Sequence, residues 1–258
     1  MAERLDVCWR VIATGLCFAC FGIGGVALDI FVFPLVALLV RDKSRRALVA
    51  KQVIHHSFRA FIGLMRRTGV LSYEVSGLSR LRPGGQLILA NHPTLIDVVF
   101  LMAFIRRADC VVKGELARNP FTRGPVRAAG FVFNDSGTGL VDDCVRSVRT
   151  GNNLIIFPEG TRTRNAGEMR LHRGAARIAL QGDVDILPVR IRCSPATLSK
   201  GDKWYRVPHR RAHFEIEVCD PIPVGRFAAA GDSQALAARR LTAHLTDYFS
   251  MGNACASA

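Results

Sequence analysis

Apolar positions follow two regimes along the chain. Val11 to Val40 is an almost unbroken apolar run interrupted by Asp29, whereas from residue 71 onward short apolar runs and turn residues alternate with helical periodicity. Val11 to Leu28 is uncharged, about one bilayer span at the lower limit of ~17 residues, while Ile30 to Val40 is shorter and contains Pro34. The run therefore predicts either one helix that crosses a bilayer, or two shorter helices meeting near Gly24, Gly25 and Asp29 as a hairpin seated in one leaflet. It has no small-residue cleavage site and is expected to stay in the mature protein. Lys51 to Val70 carries Val53, Phe58, Phe61, Ile62, Leu64 and Met65 among His and Arg, which predicts a helix lying at the interface or packed on the domain.

The remainder predicts α/β architecture, a mixed β-sheet flanked by helices. Strands are expected at Leu87 to Ala90, Asp109 to Val112, Asn153 to Phe157, Ile186 to Ile191 and His213 to Val218. Helices are expected at Thr94 to Ile105, Leu140 to Arg149, Gly174 to Leu180 and Gln234 to Phe249, the last capped by Asp232 or Ser233. The division is residues 1–70 as membrane-anchoring and interfacial helices and residues 71–258 as the α/β domain.

Charge narrows the class. With 35 Lys+Arg against 21 Asp+Glu the net charge is +14, which asks for anionic partners such as phospholipid headgroups, phosphorylated substrates or nucleic acid. Arg41, Lys43, Arg45, Arg46, Lys51, Arg59, Arg66 and Arg67 follow the apolar run and only Arg4 and Arg10 precede it, so the bulk of the chain is expected on the cytoplasmic face, the inner membrane in a bacterium. Lys200, Lys203, Arg206, Arg210 and Arg211 surround Trp204 and Tyr205, a patch suited to anionic headgroups; three Tyr and two Trp are few for base stacking, and no nucleic-acid partner is expected. Eight scattered Cys argue for a reducing compartment, with Cys17 and Cys20 read as buried small hydrophobes. No Cys or His set has zinc spacing, and no metal is expected.

Two stretches carry chemistry. The strand ending at Ala90 runs into Asn91-His92-Pro93-Thr94-Leu95-Ile96-Asp97 at a helix start. Thr94 and Asp97 alone make a capping-box-like start. His92, at the mouth of a strand, is left over by that reading; an Asp97 carboxylate accepting its Nδ1 proton would leave Nε2 free to take a proton from a hydroxyl. The second stretch, Phe157-Pro158-Glu159-Gly160-Thr161-Arg162-Thr163-Arg164, opens from another strand end with a carboxylate, a glycine and two guanidinium groups suited to phosphate.

In this order the stretches resemble the glycerolipid acyltransferase family, whose marks are Asn-His-x-x-x-x-Asp, Phe-Pro-Glu-Gly-Thr-Arg-Ser or a close variant, and an apolar segment with a Pro, here Ile186-Leu187-Pro188-Val189. The resemblance covers roughly residues 70 to 195. It implies transfer of a fatty acyl group from acyl-CoA or acyl-carrier protein to a lysophospholipid hydroxyl at a membrane, with no cofactor beyond the donor. It implies His92 as general base and Asp97 as its orienting partner. It implies Asn91, Glu159, Gly160, Thr161, Arg162 and Arg164 around the acceptor, and Lys113 on phosphate or the developing oxyanion. The family's Gly-x-x-Phe-x-x-Arg pattern stands as Gly130 to Ser136, with Ser136 in place of Arg, so a larger or differently charged lysolipid joins lysophosphatidate as an expected acceptor. A non-glycerophospholipid acceptor, or a lipid-binding relative without turnover, is the alternative. Direct attack without an acyl-enzyme is expected, since no Gly-x-Ser-x-Gly elbow occurs.

Overall fold

The computed structural model describes residues 2–134, 137–162, 170–228 and 233–254. Helix α1 (Ala2–Ala27) continues through a π-helical stretch (Leu28–Val32) into α2 (Phe33–Leu39), and the residues at both junctions keep right-handed helical dihedrals. The run forms one continuous helix and does not fold back at Gly24–Asp29, so the hairpin of two shorter helices is not formed. Pro34 explains the π stretch, because it has no N–H for the carbonyl one turn earlier, and Phe33 N–H reaches back to Leu28 O instead. The segment Glu3–Leu39 is long and apolar enough to cross a membrane.

The chain reverses after Val40. Asp42 caps α3 (Lys43–Arg67), accepting from Arg45 N at 2.8 Å, so this helix starts eight residues before the predicted Lys51. It ends where Gly69 takes φ +80°, with Gly69 N bonded to Arg66 O and Val70 N to Met65 O, a Schellman closure that glycine alone adopts without strain. Helices α1 and α3 lie antiparallel: Trp9 Nε1 donates to Thr68 O at 2.9 Å, and the Phe21 ring meets Phe58 and Phe61 at 5.8 and 5.0 Å. Ile54, Phe61, Ile62 and Met65 are buried in the same core as Phe100 and Phe214, so α3 packs on the domain and serves as one of its layers. Cys17 is buried as expected, but Cys20 is exposed on the helix.

Strands β1 (Leu71–Ser76), β2 (Leu87–Ala90), β3 (Ala108–Val112), β4 (Val132–Phe133), β5 (Asn153–Ile156), β6 (Ile186–Ser194) and β7 (Ala212–Val218) form one sheet among the described residues, in the order β1-β7-β6-β2-β5-β3-β4. Only β6 against β7 is antiparallel, so β1 and β7 run opposite to the other five. Two-residue alternation sends Ile88 and Ala90 into the core beside α3 and α4 (Asp97–Phe104), and Leu87 and Leu89 into a second core beneath α6 (Leu140–Arg149), α7 (Gly174–Gly182) and α8 (Gln234–Ala254). Ser233 caps α8, its Oγ accepting from Leu236 N at 3.3 Å; Asp232 lies outside the described residues. The sequence reading contained neither β1, β4 nor α5 (Arg123–Ala129).

Candidate active site

Strands β2, β5 and β3 are parallel neighbours, so their carboxyl ends open on one edge of the sheet. His92 follows β2, Glu159 follows β5 and Lys113 follows β3. That placement is the crevice in which parallel α/β sheets bind ligands.

At the end of β2 the His92–Asp97 contact is formed, whereas Thr94 does not cap the helix: the N-cap position falls on Ile96 and no side chain caps it. Asp97 is fully buried and its carboxylate accepts three hydrogen bonds: from Thr94 N at 2.6 Å and His92 Nδ1 at 2.8 Å on Oδ2, and from Thr94 Oγ1 at 2.5 Å on Oδ1. The helix proper begins at Asp97, three residues after the predicted Thr94, because Thr94 to Ile96 form the turn that folds this carboxylate back on His92. Burial pushes the Asp97 carboxyl above the usual carboxylate range, and the bonds from His92 and Thr94 pull it part of the way back. An Nδ1 proton held by Asp97 leaves Nε2 with a free lone pair, the form a general base needs. The His92 ring is fixed from two further sides. Phe157 stacks on it at 4.2 Å and 25°, and the backbone N–H of His92 donates to Glu159 Oε1 at 3.0 Å.

Other sequence-predicted residues divide by position. Asn91 is buried and its amide is engaged at both ends by Ile191, donating to the carbonyl at 2.8 Å and accepting from the N–H at 2.7 Å, so it acts as a clip between β2 and β6. Arg162 donates to Leu198 O at 3.1 Å and Ser199 O at 3.0 Å, holding the loop after β6 against the crevice. The same loop is bonded to the β2–α4 turn through Leu95 N and Leu198 O at 3.0 Å. Lys113 is exposed at the head of its loop, Thr161 is exposed, and Gly160 takes φ +66° in the turn after Glu159. Arg164 and Ser136 lie outside the described residues.

Two groups beside the site have no signature in the sequence. Cys193 on β6 sits close enough to Asp97 to feel its charge, but burial pushes its thiol up to about 12, which makes it a poor nucleophile. His172 packs its ring against Gly160. Among the described residues no group of His, Cys, Asp and Glu could hold a metal ion.

Helix α1 braces both loops that flank the crevice. Trp204 rests on Gly15; Arg10, 2% exposed, donates to Pro208 O and His209 O at 2.7 and 2.6 Å. On the other side Gly25 lies so near Phe121 O that a Cβ would stand 2.1 Å from it, and Asp29 accepts from Arg123 Nε at 2.8 Å.

Comparison with known proteins finds relatives in sequence and in fold. A family model described as Acyltransferase matches residues 72–192. The putative 1-acyl-sn-glycerol-3-phosphate acyltransferase acl-2 of Caenorhabditis elegans is 29% identical over 175 residues, 64% of this chain and 60% of that protein. The 1-acyl-sn-glycerol-3-phosphate acyltransferase of Pseudomonas aeruginosa is 26% identical over 172 residues, 63% of this chain and 62% of that protein. For these two relatives the match spans about three-fifths of their length. The beta 1-acyl-sn-glycerol-3-phosphate acyltransferase of Homo sapiens is 30% identical over 229 residues, 83% of this chain and 74% of that protein. The crystal structure of the 1-acyl-sn-glycerophosphate acyltransferase PlsC from Thermotoga maritima shares the fold, with TM-score 0.69 over 94% of this chain and 97% of that one at 18% identity. With the beta relative matched over that length, and the His92–Asp97 pair standing at the end of β2, the chain belongs to the 1-acyl-sn-glycerol-3-phosphate acyltransferase family.

Proposed function

We propose that this protein transfers a fatty acyl group from a thioester, acyl-CoA or acyl-carrier protein, to the hydroxyl of a 1-acylglycerol-3-phosphate-type lysolipid at a membrane surface. The observation that carries the reading is the His92–Asp97 pair, with Nδ1 bound at 2.8 Å and the ring fixed by Phe157 and Glu159. In the proposed step His92 Nε2 takes the proton of the acceptor hydroxyl as its oxygen attacks the thioester carbonyl. The tetrahedral intermediate then expels the thiolate, the C–S bond breaks, and the proton passes from the imidazolium to the leaving sulfur. Such general-base help accounts for ~10²- to 10⁴-fold, and holding two lipidic substrates together accounts for much of the rest. Lys113, exposed at the end of β3, is the group we assign to the acceptor phosphate or the oxyanion.

Seating at the membrane follows from what α1 exposes. Leu5, Trp9, Ile12, Leu16, Ile23, Ile30, Phe31, Leu35, Leu38 and Leu39 are exposed along one continuous helix, and only 11% of its most apolar window is buried in the protein. That helix is tied to the α/β domain at two levels, through Arg10, which donates to Pro208 O, and through Asp29, which accepts from Arg123 Nε. A helix so tied lies along the surface of one leaflet, with its apolar side down. The basic surplus after the run supports the cytoplasmic face for that leaflet. The test is acyl transfer by purified protein in lipid, with labelled acyl-CoA and acyl-carrier protein, a panel of lysolipids, and His92→Ala alongside. Transfer that vanishes in the variant supports the proposal; a folded wild type that acylates no lysolipid refutes it.

A further inference from the structure

Nη1 of the Arg162 guanidinium is engaged by the carbonyls of Leu198 and Ser199, which withdraws part of its donor set from an acceptor phosphate at the rim of the crevice. The chain supplies a group there that no motif marks. After the Glu159–Gly160 turn it returns at Arg170 and runs back along the same strand end, with His172 N donating to Pro158 O at 2.8 Å. This bond sets the His172 side chain directly over Gly160: a Cβ on residue 160 would stand 2.9 Å from His172 Cδ2 and 3.0 Å from Nε2. Gly160 thus does two things, adopting φ +66° and vacating the space the imidazole occupies. The ring is exposed and makes no hydrogen bond among the described residues, and exposed Arg170 and Arg173 flank it. Its neighbour across the turn is Glu159, whose carboxylate holds the backbone of His92. A donor here stands over the residue next to Glu159, the group that fixes the proposed base.

We propose that His172 is a specificity-determining contact for the phosphate monoester of the acceptor, donating a hydrogen bond from its imidazole and acting with Lys113. The inference rests on the acyltransferase reading given above. Full-length His172→Gln, with the melting temperature confirmed unchanged, is assayed in mixed lipid–detergent micelles. The acceptors are a lysophosphatidate and the monoacylglycerol of the same chain, the latter used as substrate or as competitive inhibitor. The expected result is a KM for lysophosphatidate raised about tenfold, the lower end for a charge-assisted bond. KM for the donor and the constant for monoacylglycerol stay within about twofold, and His172→Arg restores most of the loss. An active wild type whose variant shows KM for lysophosphatidate within about twofold overturns the contact alone, as does an equal loss for monoacylglycerol, which would make the ring a wall and not a phosphate ligand. A wild type that acylates neither acceptor overturns the acyltransferase reading and this inference together.

Discussion

Replacing Asp97 by Asn separates the charge of the pair from its shape. An asparagine oxygen in the place of Oδ2 still accepts from Thr94 N and His92 Nδ1, and its amide nitrogen in the place of Oδ1 donates to Thr94 Oγ1, a hydroxyl able to accept. All three bonds survive, and what is lost is the negative charge beside a ring that, in the proposed step, becomes cationic. At an effective dielectric near 20, a full charge pair at the 2.8 Å separation interacts by about 6 kcal/mol. With about half a proton transferred at the transition state, roughly 3 kcal/mol is at stake, about 10²-fold in kcat. Asp97 is fully buried and lies behind His92, so KM for donor and acceptor should move less than about threefold. The assay is steady-state acyl transfer with both substrates varied, with circular dichroism to show that the variant is folded. A folded Asp97→Asn protein that keeps more than about a third of wild-type kcat would refute the claim that the carboxylate stabilises a charged imidazole.

Further outcomes follow from other groups. The folded-state pKa of Asp97 is raised above its ordinary 3.8, so the folded protein binds that proton more tightly than the unfolded chain. Its contribution to stability is full below that ordinary value and is lost as pH rises through the folded one; melting temperatures should therefore shift in favour of Asp97→Asn over wild type as pH rises above 3.8 and level off once the folded carboxyl is ionised, and a constant difference would contradict the raised pKa. Because the Cys193 thiol is pushed up to about 12, Cys193→Ala should keep kcat within about threefold, and mass spectrometry after mixing with acyl donor should find no acyl group on that cysteine. Arg10→Met leaves the carbonyls of Pro208 and His209 without their donor, at about 1 to 3 kcal/mol each, and should lower the melting temperature by about 5 °C or more, with faster proteolysis in residues 199–211. Gly25→Ala drives a methyl group into Phe121 O and should cost about 1 to 3 kcal/mol, with increased cleavage within residues 114–123.

What the sequence made legible was whatever depended on near neighbours. His92 and Asp97 meet across one turn, and the Thr94 bonds that shape the turn lie inside the same few residues. The buried strands at β2, β5 and β6 were visible because fully buried strands read as continuous apolar runs. Strand β1 was hidden because Leu71–Ser76 is a half-exposed edge whose pairing with β7 is decided some 140 residues away. Helix α5 was hidden by a Gly and a Pro in its first turn, and it is held by its packing on α3 and on the π-helical stretch of the N-terminal segment. The engagement of Arg162 by a loop 36 residues on, the placing of His172 over Gly160 and the burial of Arg10 all depend on chain closure that no local pattern encodes.

The contacts of α1 change what solubilising this protein would mean. Trp204 rests on Gly15 and Phe121 on Gly22 and Gly25, so the loops on both sides of the crevice lean on one helix. A shortened chain begun after residue 40 would lose more than its hold on lipid. It would expose the ring of Trp204 and the carbonyls that Arg10 satisfies, and it would release the segment that carries Lys113. The helix is better regarded as a tie-beam than as an anchor: whatever bends or displaces it is felt at both walls of the crevice together, so in the proposed seating lipid composition and thickness become variables of turnover as well as of attachment.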